Sequence, residues 1–242
     1  MRPFWMLALL DFRPDHYTEA AAHWQRLTGY TLRDPIGDLG EFQGLRPPDH
    51  PTFLAVQRLG EGEDRVHLDF HVTDPPASAR DAIAAGATMI TDNPDCEVLS
   101  SPGGLIFCFV SDPSSGPAPA TSWSEGHRSI ADQVCIDIPG DQWDAEIAFW
   151  SEVVGTQAES LDESEFARLH DDDQLPLRIL FQRLQEPTGR VRAHIDWATT
   201  DRDAETQRHV ALGSHVVRRC AEWTVMDGPG GIYCITDRLP RS

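Results

Sequence analysis

His67 to Asp74 reads HLDFHVTD, and His194 to Asp201 reads HIDWATTD; this pair decides how the whole chain is read. Working outward, the match continues at an offset of 127, pairing Gly86 with Gly213 and the turn Pro102-Gly103-Gly104 with Pro229-Gly230-Gly231. Towards the N-terminus the offset is 125 for Gln57 and Gln182, then 126 for Gly29 and Gly155, Trp24 and Trp150, and Asp11 and Asp137. The offset changes only between matched segments, where loops tolerate insertions. Two copies at so long a period mean a duplicated domain, not a solenoid. Between them residues 111–126, SDPSSGPAPATSWSEG, are rich in Ser, Pro and Gly and lack hydrophobic periodicity, as connecting chain does. The expected organisation is a first domain over 1–113, a linker over 114–126 and a second domain over 127–242.

Each copy repeats one order of elements: an apolar strand (Phe4 to Leu10; Ile130 to Ile138), a helix, strands ending in FLAVQRL or RILFQRL, the HLD-type strand, a second helix, and strands around the PGG turn. In the first helix of the second copy Trp143, Ile147, Trp150 and Val154 form a one-sided stripe, matched by Tyr17, Ala21, Trp24 and Thr28; that spacing predicts core packing. The second helix of each copy ends near a glycine suited to a left-handed cap. Alternate strand residues face opposite ways, so Leu68, Phe70 and Val72 make an apolar row opposite His67, Asp69 and His71. In the second copy Ile195, Trp197 and Thr199 lie opposite His194, Asp196 and Ala198. The apolar row is expected against a helix, with the His/Asp row facing solvent or the inside of a concave sheet.

Composition removes several functions. Thirty-nine acidic residues stand against 20 basic ones, for a net charge of -19, and such a field repels nucleic-acid phosphates and anionic lipid surfaces. All the basic residues are arginine, which leaves no Schiff-base lysine, pyridoxal-phosphate anchor or Walker-type loop. GxSxG, HExxH and the dinucleotide glycine fingerprint are also missing from the sequence. The five cysteines are odd in number and form no CxxC pair, so the expectation is a reduced, cytoplasmic protein. MRPFWMLALLDF is read as a first strand, because Asp11 and Arg13 interrupt it before membrane-spanning length. An arginine- and alanine-rich, lysine-free chain also associates with a GC-rich bacterial genome.

The doubled order of elements, the HLDFHVTD strand leading into a helix that ends AAGAT, and the SPGGLIFCFV ending resemble the vicinal oxygen chelate superfamily, in its glyoxalase-like domain branch. That superfamily includes glyoxalase I, bleomycin-resistance proteins and extradiol dioxygenases. The resemblance implies an α+β protein of tandem glyoxalase-like domains, each built of paired βαβββ modules forming an open curled sheet around a cleft. It also implies a small organic molecule as partner. Metal-dependent members place ligands on the first strand (His or Gln), at the first residue of the HLD-type strand (His), and as a Glu after the turn. His67 and His194 match the second position. Gln133 matches the first, where the other copy has Leu7, and the Glu position falls on Cys108 in one copy and Ile235 in the other.

With the carboxylate missing from both copies, no essential metal is expected, and His67, Gln133 and His194 are the side chains a divalent cation would use. A softer Cys108 would shift preference towards thiophilic metals, and a hybrid of His67, Cys108 and Gln133 is a further arrangement. The candidate ligand-binding residues are Trp5, Gln57, His67, Asp69, Cys108, Gln133, Gln182, His194 and Asp196. Trp5 enters because it shares the strand face of Leu7. Gln57 and Gln182 offer uncharged amides or pack at a strand edge. The histidines either line the cleft or are buried and bonded to Asp69, Asp196 or backbone. Residues i and i+2 on a strand lie some 6–7 Å apart, so a direct His–Asp contact is expected to be strained. His71 reads as solvated, Cys108 and Cys234 as core, and the DDD run at 171–173 as a solvated loop or a loose cation site.

The reading is a small-molecule-binding protein that works without an essential metal. Its rival is a metal-dependent lyase, isomerase or dioxygenase. A degenerate pair with one silent domain is a third reading, and the sequence leaves open whether the domains pair within the chain or across a homodimer.

Overall fold

The computed structural model describes residues 2–91, 96–112, 116–162, 165–170 and 175–241. The acidic run 171–173 and the expected boundary at 113 lie outside the described residues. The first copy forms β1 (Trp5–Phe12), α1 (Pro14–Thr28), β2 (Thr31–Leu32), β3 (Phe42–Arg46), β4 (Leu54–Arg58), β5 (Arg65–His71), α2 (Pro75–Ala84), β6 (Thr88–Thr91), β7 (Cys96–Ser100) and β8 (Ile106–Val110). A short β9 (Thr121–Ser122) follows. The second copy forms β10 (Arg128–Ile138), α3 (Trp143–Val154), β11 (Ala158–Ser160), β12 (Phe166–Leu169), β13 (Arg178–Arg183), β14 (Arg192–Thr199), α4 (Arg202–Ala211), β15 (His215–Arg219), β16 (Trp223–Asp227) and β17 (Tyr233–Thr236).

Local chemistry explains the repeated residues at the element ends. Asp74 and Asp201, the last letters of the two quoted motifs, cap α2 and α4 by accepting the backbone N–H of Ala77 and Ala204, each at 2.9 Å, the ordinary role of an N-terminal carboxylate. Gly29 and Gly155 end α1 and α3 in the left-handed conformation, at φ 69° and 74°, which costs a residue without Cβ nothing.

Each copy contributes one open mixed sheet. The strand order is β2-β3-β4-β1-β5-β8-β7-β6 in the first and β11-β12-β13-β10-β14-β17-β16-β15 in the second, with β9 paired to β10. The HLD-type strand of each copy runs parallel to the strand after the PGG turn, β5 to β8 and β14 to β17. This is the βαβββ pairing expected, with α+β character.

By compactness the chain divides differently, into Met1–Ala8, Val66–Gly116 and Val134–Ala193 as one unit and Leu9–Arg65, Pro117–Gln133 and His194–Ser242 as the other. Each unit therefore draws elements from both copies. In the first, Trp150 of α3 lies 6.0 Å from Phe70 of β5 and 5.3 Å from Phe107 of β8, ring centre to ring centre. In the second, Trp24 of α1 stacks on Trp197 of β14 at 6.4 Å and meets Tyr233 of β17 at 5.7 Å. The apolar row of each HLD-type strand does pack on a helix, and the helix comes from the other copy. All these rings except Phe107 and Tyr233 were legible as core; burying each contributes on the order of 2–3 kcal/mol.

The PGG turn belongs to this packing. The Trp24 indole N–H donates to the Gly230 carbonyl at 3.2 Å, and a Cβ on Gly230 would stand 2.2 Å from that nitrogen. In the other unit the Gly103 N–H donates to Glu146, which also accepts from the Trp150 indole at 2.7 Å; a Cβ on Gly103 would stand 2.2 Å from the Val191 side chain. The helix α3 departs from the expected stripe for this reason. Its buried face is Glu146, Phe149, Trp150, Val153 and Val154, while Trp143 and Ile147 are half-buried, because the carboxylate of Glu146 turns inward to meet those two donors.

Candidate functional site

The parity of β5 and β14 puts a polar row opposite the packed rings, and in each copy three side chains of that row and the neighbouring strand converge. Asp69 stands directly across from Cys108 in the parallel β5–β8 ladder, and Asp196 directly across from Cys234 in β14–β17. Adding the histidine two residues before each Asp gives the clusters His67–Asp69–Cys108 and His194–Asp196–Cys234, whose ligand-type atoms lie within 4.8 Å of one another. The register corrects the expected placement of the Glu-equivalent position in the second copy. That position is Cys234 and not Ile235, because the second copy has one residue fewer between its PGG turn and the strand. Cys234 went unnoticed as a site residue; only the strand register, which sequence offsets blur at that gap, reveals it.

In the first cluster His67 Nε2 lies 3.4 Å from Asp69 Oδ1, and that oxygen is buried without a hydrogen bond among the described residues. In the second, His194 Nε2 lies 3.2 Å from Asp196 Oδ1, again with no hydrogen bond at the oxygen, and 3.5 Å from the Cys234 sulfur. These contacts are shorter than strand spacing suggested, since the His and Asp side chains lean together over the intervening residue. Carboxylate and thiol approach the same ring nitrogen of His194. A nucleophile–base–carboxylate relay needs the two partners on opposite ring nitrogens, so this is no such relay. Lone pairs that face one point are the arrangement of a ligand set for a cation or for a donor on a bound molecule.

The two clusters differ at their edges. Gln133 of β10 donates its amide N–H to Asp196 Oδ2 at 2.7 Å, which fixes that carboxylate. Beside the first cluster stands Cys96 of β7, on the strand face of Val98 and Cys108. The Cys108 thiol shares a hydrogen bond with the Cys96 sulfur. That bond pulls the Cys96 thiol below its ordinary value, and the same bond together with burial pushes Cys108 up. Register places Val98 opposite Cys108 and Val225 opposite Cys234, so the counterpart of Cys96 is Trp223.

The remaining expected residues fall elsewhere. Trp5 is fully buried, with an indole N–H that has no partner among the described residues. Gln57 and Gln182 are half-buried on β4 and β13, opposite Phe42 and Phe166; neither amide makes a side-chain hydrogen bond among the described residues. His71 is buried rather than solvated. Its Nδ1–H donates to the Asp112 carbonyl at 2.7 Å, and its ring meets Phe4 edge-on, so it fastens the end of β5.

The donor set does not match the His or Gln, His and Glu ligands that the resemblance implies. The third position holds a thiol in both copies, and the first holds Leu7 in one of them. The carboxylate that is present sits two residues after the histidine. Among the described residues no helix is long and apolar enough to cross a membrane.

A family model described as Glyoxalase-like domain matches residues 9–110 and 133–236. Among solved structures, the Mn(II)-bound glyoxalase from Novosphingobium aromaticivorans is similar at 15% identity and a TM-score of 0.65, covering 97% of this chain and 82% of that one. A triple mutant of 4-hydroxymandelate synthase from Streptomyces coelicolor is similar at 14% identity and a TM-score of 0.65, covering 99% and 94%. A catechol 2,3-dioxygenase is similar at 12% identity and a TM-score of 0.61, covering 100% and 90%. No curated protein matches the chain.

Proposed function

Because the chain belongs to the glyoxalase-like domain family, we propose that it binds a small organic molecule against the His–Asp–Cys clusters of its two sheets. The observation that carries this reading is the pair of buried carboxylate oxygens, Asp69 Oδ1 and Asp196 Oδ1, each beside an imidazole and each without a hydrogen bond among the described residues. A buried carboxylate oxygen without a donor costs on the order of 1–3 kcal/mol or more. A hydroxyl or N–H on a bound molecule would supply that donor, and the cysteine sulfur beside it offers a polarisable contact.

Family membership supports the same reading. The similar solved structures are named for enzymes of small organic compounds, among them catechol and 4-hydroxymandelate. The first and second copies then correspond to the two domains of 1–113 and 127–242, each with its own cluster. The ligand set that the resemblance implies is incomplete, so binding is assigned to the chain's own side chains. His67 and His194 accept or donate at Nε2, the aspartates accept, and Gln133 holds Asp196 in place.

A panel of hydrophobic natural products and phenolic compounds, screened by tryptophan fluorescence and thermal shift, tests this. A compound that raises the melting temperature of the wild-type protein should lose at least tenfold in affinity in the Asp69→Asn or the Asp196→Asn variant. Affinity unchanged in both variants would overturn the assignment of the clusters as the binding site.

A further inference from the structure

Two exposed aliphatic patches in the second of the compact units carry unlike charge. We propose that they join two copies of this chain: the turn bearing Ile36 and Leu39 on one copy seats against Val216 and Val217 at the sheet edge of the other, with Asp34 and Asp38 facing Arg218. The inference is independent of the organic-ligand reading, since neither patch shares a residue with the His–Asp–Cys clusters.

Residues 33–41, RDPIGDLGE, join β2 to β3. Ile36 is 66% exposed and Leu39 79%, yet the turn that carries them is built to hold its shape. Ile36 and Phe42 exchange backbone hydrogen bonds at 2.9 and 3.1 Å, and the Gly40 N–H donates to the Gly37 carbonyl at 3.1 Å. The Glu41 carboxylate accepts from the Leu39 N–H at 2.9 Å, and the Arg58 guanidinium donates to the Leu39 carbonyl at 3.0 Å. Gly37 and Gly40 take the positive φ of 91° and 62° that this path needs. Two aliphatic side chains are thus framed in water by a fixed backbone, so seating them on a partner costs little further ordering. Glu41 is committed to the turn. Asp34 and Asp38 are exposed, make no ion pair among the described residues and outnumber Arg33.

The other patch lies on β15, which ends the second copy's sheet and whose five residues, HVVRR, are all exposed. The register shifts between Val216 and Arg218, which makes Val217 a bulge. A bulge blunts the addition of a further strand, so this edge offers a partner side chains and not a backbone ladder. Arg219 is paired with Asp203 at 2.8 Å, and His215 stands 3.6 Å from Asp227. Arg218 makes no ion pair among the described residues and is the cation left for a partner. The first copy's edge repeats only the apolar part. Ile90 matches Val217 at the offset of 127 and is 54% exposed at the same kind of register shift, between Met89 and Thr91, but Thr91 stands where Arg218 does. That asymmetry selects β15.

With a net charge of -19, two copies repel as wholes. Opposite charge at the contact itself then sets which surfaces can meet, and the acidic turn and the basic edge supply it from the same chain. Made twice about a two-fold axis, the contact closes a dimer.

Sedimentation equilibrium of the full chain, from low to high micromolar concentration, tests this. The wild-type protein should associate reversibly. Leu39→Ser and Val217→Ser should each raise the dissociation constant by about tenfold or more, whereas Ile90→Ser should leave it unchanged. The double variant Asp34→Arg/Asp38→Arg and the variant Arg218→Glu should each fail to self-associate. An equimolar mixture of these two should recover the wild-type assembly, because each turn then meets an edge of opposite charge. Thermal unfolding verifies that the surface variants fold. A wild-type protein that stays monomeric would overturn the proposal and leave both patches to some other partner. Association that survives both charge reversals, a mixture that stays monomeric, or association lost in Ile90→Ser would equally overturn it.

Discussion

Gln133 and Asp196 are joined by an amide-to-carboxylate hydrogen bond of 2.7 Å between β10 and β14, and the first copy cannot make its equivalent because Leu7 stands at the matching place. One duplicated cluster is therefore braced by an amide and the other has a second thiol beside it. Asp196 is buried, so its brace acts in a medium where a charged hydrogen bond counts. Replacing Gln133 with Leu is expected to lower stability by about 1.5–3 kcal/mol, measured by urea unfolding at neutral pH. A loss below about 0.5 kcal/mol would mean that Asp196 is held without the amide.

The approach of Gly230 to Trp24 gives a second expectation. A methyl group on Gly230 would overlap the indole nitrogen, and that nitrogen also donates to the Gly230 carbonyl. Gly230→Ala should cost about 1–3 kcal/mol through overpacking. Combining it with Trp24→Phe, which removes the clashing N–H edge, should cost less than the sum of the two single changes. A strictly additive double-mutant cycle would show that the glycine is required for some other reason.

The glycine and tryptophan repeats were legible in the sequence as repeats, and so was the order of elements along each copy. Which copy's helix covers which strand was not. Trp24 and Trp150 have the right spacing for core, but the same apolar stripe satisfies either copy's strands, and helix periodicity carries no address. Glu146 shows the same limit from the other side: a carboxylate inside a buried face breaks the stripe and makes sense only beside Gly103 and Trp150. At the site, His67, Asp69, His194 and Asp196 were visible because parity puts them on one face. Cys96 and Cys234 were not, since their place depends on strand register across the turn, where one residue more or less moves every partner.

His23 predicts how the protein responds to acid. Burial first, and then the charges of Arg26 and His209, hold its imidazole down to about 4, while the unfolded chain titrates near 6.5. Between these values the unfolded state binds a proton that the folded state refuses. Stability should therefore fall as pH drops through this window, by up to about 1.4 kcal/mol per pH unit. His23→Gln keeps a partner for Ser214, which lies 3.0 Å from the ring, and removes the titration. The stability difference between the two proteins should thus change between pH 6.5 and 4 in unfolding titrations. Parallel curves over that range would place the acid sensitivity elsewhere.

Glu146 should act with the opposite sign. Burial raises its pKa above the ordinary carboxyl range, against the pull of hydrogen bonds from Gly103, Trp150 and Ser101. The folded protein therefore keeps a proton there that the unfolded chain has already lost, and this contribution is full below the unfolded value of about 4.5 and fades as pH rises through the raised one. Glu146→Gln has no proton to lose. Its amide can accept from only one of the Gly103 and Trp150 N–H groups and sets its own N–H against the other, at a cost of about 1–3 kcal/mol. The variant should therefore be the less stable protein at pH 4, by an amount that shrinks as pH rises and the wild-type carboxyl ionises in its buried setting. Urea unfolding of both proteins from pH 4 to 8 measures that difference. A gap that stays constant or widens with pH would mean that the three donors, and not burial, govern the ionisation of Glu146, and that the carboxylate stays charged beneath the PGG turn.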